Sequence, residues 1–109
     1  TCLTVCTGAA LLAATGVLDG KPATTNKRAF EWVRGTRPQV GWRQKARWVS
    51  TGKFYTSSGV SAGMDMTLGF IADRWGLEAA QEIASRCEYL WQNDPDTDPF
   101  AHPAEFESA

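Results

Sequence analysis

One short run in this chain joins a nucleophile to the backbone geometry that would activate it: Leu3-Thr4-Val5, then Cys6-Thr7-Gly8, then Ala9 to Ala14. The first part is rich in β-branched residues and reads as a buried strand. Ala9 to Ala14 carries good helix formers at nearly every position. Cys6 therefore falls at the sharp turn between a strand and a helix start. Unpaired backbone N–H groups and a partial positive charge gather at such a place. They stabilise the thiolate, the reactive form of cysteine, and can hold an oxyanion as charge develops on a substrate carbonyl. A nucleophile elbow also needs small residues around its turn, as in the G-x-S-x-G pattern. Gly8 follows Cys6 by two residues and Ala9 and Ala10 come next, but Thr4 stands where the first glycine would be, so the match is partial. The plainer alternative is that Cys6 is a small buried hydrophobe. Burial is the expectation for Cys2, which has no glycine or helix start behind it, and for Cys87, on the apolar face of a helix.

The elements that must position Cys6 follow from pattern. Cys2 to Val5 is strand-like, Gly16 is a C-terminal stop for the first helix, and Asp19-Gly20 marks a turn. Ala23-Thr24-Thr25 reads as a second short strand. Lys27 to Arg34 reads as one or two helical turns, with Asn26 as N-cap and Phe30 and Val33 inward. Gly35 to Pro38 is a loop. Ala46 to Ser50 and Lys53 to Ser57 form a hairpin through Thr51-Gly52. A helix is expected from about Ser61 to Trp75, with Met64, Leu68, Ile71 and Trp75 at helical spacing and Gly76 as its stop. A last helix runs from about Leu77 to Gln92, with Ala80, Ile83, Ala84, Cys87 and Trp91 on one face. The Asp/Pro-rich stretch after Asn93 reads as a surface tail. Strands alternating with helices predict an α/β sheet covered by helices.

Composition narrows the function classes. The 109 residues are 43% hydrophobic and 21% charged, enough for one small domain, and five Trp and five Phe supply core area. A net charge of -1 and a pI of about 5.7 give no general reason to expect nucleic acid or an anionic membrane. Three cysteines do not make a disulfide framework, which points to a reducing, cytoplasmic setting. No His/Cys spacing suits zinc, and neither metal nor cofactor is expected. The run from Leu3 to Leu18 lacks a basic leader and is broken by Thr and Gly, so neither a signal peptide nor a transmembrane helix is expected. The opening run Cys2 to Val5 has the character of an inner strand of a parallel sheet, and few strands are available for a doubly wound sheet. Both features suggest a missing upstream half.

Taken in order, Val5-Cys6-Thr7-Gly8-Ala9, Val17-Leu18-Asp19-Gly20, Ala23-Thr24-Thr25 and Ser58-Gly59-Val60-Ser61-Ala62-Gly63-Met64-Asp65 resemble the second half of ThiJ/PfpI superfamily proteins. The resemblance extends to Phe100 and is nearest the isocyanide-hydratase-like branch, whose elbow reads Cys-Thr-Gly. It implies a flavodoxin-like three-layer sandwich over residues 1–100, leaving 101–109 as a tail. It further implies a homodimer with Cys6 as nucleophile beside a small-molecule pocket, the Thr7 N–H in the oxyanion site and Gly8 in the elbow. The acidic partner of the cysteine would come from the N-terminal half of the domain. Many relatives carry histidine where Asn26 stands; an amide hydrogen-bonds but does not shuttle protons near neutral pH. Asn26 is thus a pocket candidate unsuited to a Cys–His pair.

Other residues weigh less. His102-Pro103-Ala104-Glu105 invites comparison with a His-x-Glu pair, at a spacing one residue too long. Arg37, Arg43, Lys45 and Arg47 with Trp42 and Trp48 form a basic-aromatic stretch, better read as a loop and strand with tryptophans inward and charges in water. Asp65 suits a helix start structurally, and Met64 and Met66 suit a core or interface. The leading expectation is a cysteine-dependent small-molecule hydratase or hydrolase. Its alternatives are a redox-sensing or ligand-binding member, in which Cys6 oxidises, and a fragment incomplete without its other half.

Overall fold

In a computed structural model, which describes residues 1–101, the hairpin signalled by Thr51-Gly52 lies at the heart of the sheet. Its strands are β4 (Trp48–Thr51) and β5 (Phe54–Ser57), antiparallel, with Thr51 opposite Phe54 and Gly52 at a positive φ of 57° in the turn. The Cys2–Thr4 strand, β1, pairs parallel to β5, giving the order β1-β5-β4. Between β1 and the hairpin come α1 (Gly8–Ala14), β2 (Pro22–Ala23), α2 (Phe30–Thr36) and β3 (Gly41–Trp42). The short strands β2 and β3 pair parallel with each other as a separate ribbon. The chain then continues into α3 (Val60–Trp75) and α4 (Leu77–Arg86).

Successive side chains on a strand point to opposite faces, and β5 uses both. Phe54 packs with Ala13, Leu18, Ala23 and Val40, the cluster beneath α1. Tyr55 packs with Trp48, Met66 and Phe70, the cluster beneath α3. Helices therefore cover both faces of the sheet, giving the expected α/β three-layer arrangement. A third cluster joins α3 to α4 through Leu68, Ala80 and Ala84. Gly69 lets α3 approach closely: a Cβ there would sit 2.9 Å from the Trp48 ring.

Several expectations need correction. The helix after Asn26 continues through Gly35 to Thr36, because burial of Phe30 and Val33 outweighs the modest helix penalty of one glycine. Strand β3 carries no alternating apolar pattern and was not expected from sequence; it forms because Gly41 allows its backbone against Lys21, whose carbonyl would lie 3.3 Å from a Cβ. Helix α4 ends at Arg86 rather than Gln92. Glu88 turns left-handed at φ 52°, and the Tyr89 N–H caps the Ala84 carbonyl at 2.9 Å. That turn leaves Cys87 exposed rather than in the core. On α3, Leu68 is buried but Met64 and Trp75 are 48% and 64% exposed, since Ala62, Met66 and Gly69 supply the face that meets the sheet.

The stretch after Asn93 is not a free surface tail up to Ala101. The Pro95 carbonyl accepts from the N–H groups of Arg47 at 2.6 Å and Trp48 at 3.3 Å, and the Asp98 N–H donates to Lys45 at 3.0 Å. Asp98 itself is buried. Periodicity gives no sign of this docking, because the strap is held by backbone bonds and one carboxylate rather than by an apolar stripe.

Candidate active site

Cys6 adopts φ 59°, a left-handed backbone that few non-glycine residues occupy. Strain of this kind costs about 1–3 kcal/mol and persists only where surroundings over-determine it. Two bonds do so here. The Cys6 N–H donates to the Ser58 carbonyl at 2.7 Å, and the Thr25 hydroxyl donates to the Cys6 carbonyl at 2.8 Å. The turn closes with the Gly8 N–H on the Val5 carbonyl at 3.0 Å. Thr7 is the N-cap of α1 but makes no side-chain capping bond. Cys6 is half-buried, and Cys2, Cys6 and Cys87 are all free thiols.

Crowding around the turn is relieved at a different glycine from the one expected. A Cβ on Gly8 would meet Thr4 at an ordinary 3.6 Å. On Gly63 it would lie 2.7 Å and 2.8 Å from the two methyl groups of Val5. Val5, directly before Cys6, thus seats the elbow on the bare backbone of α3. Gly63→Ala should cost about 1–3 kcal/mol through overpacking, and Val5→Ala should recover most of it in the double variant. Denaturant midpoints of the single and double variants check this; additive losses would refute the contact.

The named site residues do not share one hollow. Thr7 and Gly8 line an open cleft between α1 and α2, with Leu11 and Trp32. On the other side, Asn26, Ser58, Gly59 and Phe100 line a narrower cavity of about 290 Å³, together with Lys27 and Arg47. The Asn26 side-chain oxygen accepts the Ala29 N–H at 3.0 Å, so it caps the turn ahead of α2 while also facing the cavity. The His102 and Glu105 pair lies outside the described residues.

Beneath that cavity is a buried cluster for which single-sequence pattern holds no signal. Arg47 bonds Asp65 through two nitrogens, at 2.8 and 2.7 Å, and reaches Asp98 at 3.3 Å. Lys27 donates to Thr24 at 2.7 Å and to the Ala46 carbonyl at 2.6 Å, with Asp98 3.6 Å away. Arg47 is therefore in the interior, not in water. Its charge is tolerated because two buried carboxylates replace its hydration: Asp65, one oxygen of which takes both nitrogens, and Asp98. Asp65 lies beyond the first turn of α3, so it does not serve the helix dipole as expected; its role is structural through this pair and through the Gln92 N–H at 3.1 Å. Arg37, by contrast, is part-exposed and pairs with Asp19 at 2.9 Å.

Burial pulls the Lys27 ammonium down from its ordinary 10.5 to about 8, with Asp98 opposing that fall. The unfolded chain keeps this proton to higher pH than the folded one, so stability should rise as pH passes above 8. Tyr55 acts oppositely near and above pH 10, since burial and its bond to Asp73 raise its pKa. Between pH 8 and 9.5 the Lys27 contribution should be a gain of about 1–2 kcal/mol. Urea titrations across that window check it, and Lys27→Met should abolish the slope.

Among the described residues, no group of three or more His, Cys, Asp or Glu is placed to hold a metal ion, and no helix is long and apolar enough to cross a membrane. The sequence pattern of the DJ-1/PfpI family matches residues 1–73, two thirds of the chain, including the elbow, the Thr24-Thr25 strand end and the hairpin. The chain belongs to the DJ-1/PfpI family. Isonitrile hydratase of Pseudomonas putida is 34% identical over 103 residues, with 89% of this chain and 43% of that protein covered. The HTH-type transcriptional regulator CdhR of Pseudomonas aeruginosa is 31% identical over 80 residues, covering 73% of this chain and 24% of the regulator. The crystal structure of a ThiJ/PfpI family protein from Pseudomonas syringae matches with a TM-score of 0.68 at 31% identity, covering 90% of this chain and 37% of that one. The chain thus spans less than half the length of each of these relatives.

Proposed function

We propose that this chain supplies the cysteine half of a small-molecule hydratase site, with Cys6 as nucleophile and an isonitrile as the substrate class. The observation that carries the proposal is the left-handed φ of 59° at Cys6, strain retained in a half-buried thiol between strand and helix. The 34% identity to an isonitrile hydratase supports the choice of substrate. In the first step the thiolate adds to the terminal carbon of R–N≡C, and that carbon takes a proton to give a thioformimidate on sulfur. Water then adds to the same carbon. The C–S bond breaks as the nitrogen is protonated, releasing R–NH–CHO and restoring the thiol. The Thr7 N–H contributes to holding negative charge, and the Gly8 N–H closes the elbow on the Val5 carbonyl.

Asn26 is an amide and carries no proton for either step near neutral pH. The acid and base role therefore falls to a carboxylate from the N-terminal half of the domain, with two copies of the domain forming the working dimer in a cytoplasmic protein. Formation of the N-substituted formamide by the complete protein, lost on substitution of Cys6, tests the proposal. A second reading is favoured by the similarity to CdhR: a ligand-binding or redox-sensing domain in which Cys6 is modified without turnover. A Cys6 that reacts with electrophiles while no formamide accumulates would select that reading.

A further inference from the structure

A separate cleft of about 450 Å³ lies against β4, at the opposite edge of the sheet from β1. Its volume suits a small molecule. Register and hydrogen bonds set its two ends. At one end is the strap: the Pro95 carbonyl accepts the Trp48 N–H at 3.3 Å. Arg43 stands at the same end, because the Thr24 hydroxyl lies 2.7 Å from the Arg43 carbonyl and 3.5 Å from that of Ala46, two residues ahead of Trp48. At the other end Ser50 pairs with Tyr55, whose hydroxyl donates to the Asp73 carboxylate at 2.6 Å. Trp48 and Ser50 are two residues apart on the strand, about 7 Å. Along α3 the interval agrees: the Trp48 ring packs on Gly69, and Asp73 follows four residues later, about 6 Å along the helix. Trp91 and the 51%-exposed Leu77 supply apolar surface to the same cleft.

We propose that this cleft binds a zwitterion whose carboxylate and ammonium are separated by an apolar spacer, as in an ω-amino acid. The carboxylate meets the Arg43 guanidinium at the strap end. The ammonium meets Asp73, which Tyr55 holds in place through one carboxylate oxygen. A spacer of about five methylenes covers the roughly 7 Å between the ends and lies along Trp91 and Leu77. An α-amino acid, with both charged groups on one carbon, reaches only one end. Asp96 follows Pro95 on the strap, so it shares the Arg43 end and repels the ligand's carboxylate. The site goes beyond the Cys6 chemistry and does not rest on it: no elbow residue takes part, and β5 separates β4 from β1.

Titration of the complete protein with 6-aminohexanoate, followed by NMR of the ligand, tests the proposal. A dissociation constant of about 1 mM or tighter is expected, and glycine, hexylamine and hexanoate should each bind about tenfold more weakly, lacking one of the two charged contacts. Arg43→Gln and Asp73→Asn should each weaken 6-aminohexanoate by about tenfold. Both positions are exposed, and the asparagine amide still accepts the Tyr55 hydroxyl, so the fold is retained. Asp96→Asn should tighten binding by removing the competing acid. Hexylamine bound as tightly as 6-aminohexanoate would overturn the role of Arg43, and the proposal with it. So would a dissociation constant above about 10 mM, or Arg43→Gln and Asp73→Asn variants that bind like the parent.

Discussion

Cys6→Ser should lower formamide production from an isonitrile by about a thousandfold or more, with folding stability changed by no more than about 0.5 kcal/mol. The two expectations follow from different properties of one atom. A serine hydroxyl occupies nearly the same volume, and Cys6 is only half-buried, so packing is little altered. Both residues lack glycine's freedom and must accept the same φ of 59°, held by the same bonds from Thr25 and to Ser58. Nucleophilicity does not carry over: a hydroxyl needs an adjacent base to lose its proton, and Asn26 cannot serve as one. Cys6→Gly is the complementary variant. It removes the nucleophile and also the backbone strain, so it should be inactive yet slightly more stable than Cys6→Ala. Initial rates by product chromatography, with denaturant midpoints of the same preparations, check both. Activity surviving in Cys6→Ser at more than about a tenth of the original would end the nucleophile proposal.

Arg47→Met should cost about 3–5 kcal/mol, the largest stability loss expected from any single change in this chain. The guanidinium is the common partner of two buried carboxylates, Asp65 and Asp98, neither of whose side chains is accessible to water. Among the described residues, removing it leaves Lys27, 3.6 Å from Asp98, as the one cation paired with these acids. A domain of this size shifts its melting temperature by about 4–8 °C per kcal/mol, so the fall is readily measured. Arg47→Lys keeps the charge but not the fork that spans both acids, and should recover only part of the loss. Adding Asp65→Asn to Arg47→Met should restore part as well, because the penalty arises from an uncompensated charge rather than from lost volume. A melting temperature within a few degrees of the parent would show that the strap and α3 do not depend on the cluster.

The elbow was legible because its signals are local. A β-branched run, a cysteine, a glycine and an alanine-rich helix lie within Leu3 to Ala14, and local backbone preference suffices to fold them into strand, turn and helix. The motif around Gly63 gives no sign of its packing role, since its partner Val5 is distant in sequence. Periodicity puts Cys87 in the core for a related reason: it continues past Arg86, while the chain leaves the helix to bring Trp91 and Gln92 onto Asp65.

Sequence alone determined the α/β class, the hairpin, the main helices and the position of Cys6 at a strand-to-helix turn, all properties that neighbouring residues settle among themselves. Only the tertiary structure decided that Arg47 goes inside, that the Asp/Pro-rich strap docks, and that Asn26 and Phe100 come to line one cavity. Those outcomes depend on pairing a buried charge with its opposite across long sequence separations. The free energy of that pairing comes from desolvation and geometry in the folded state, and no local pattern of residue types encodes it.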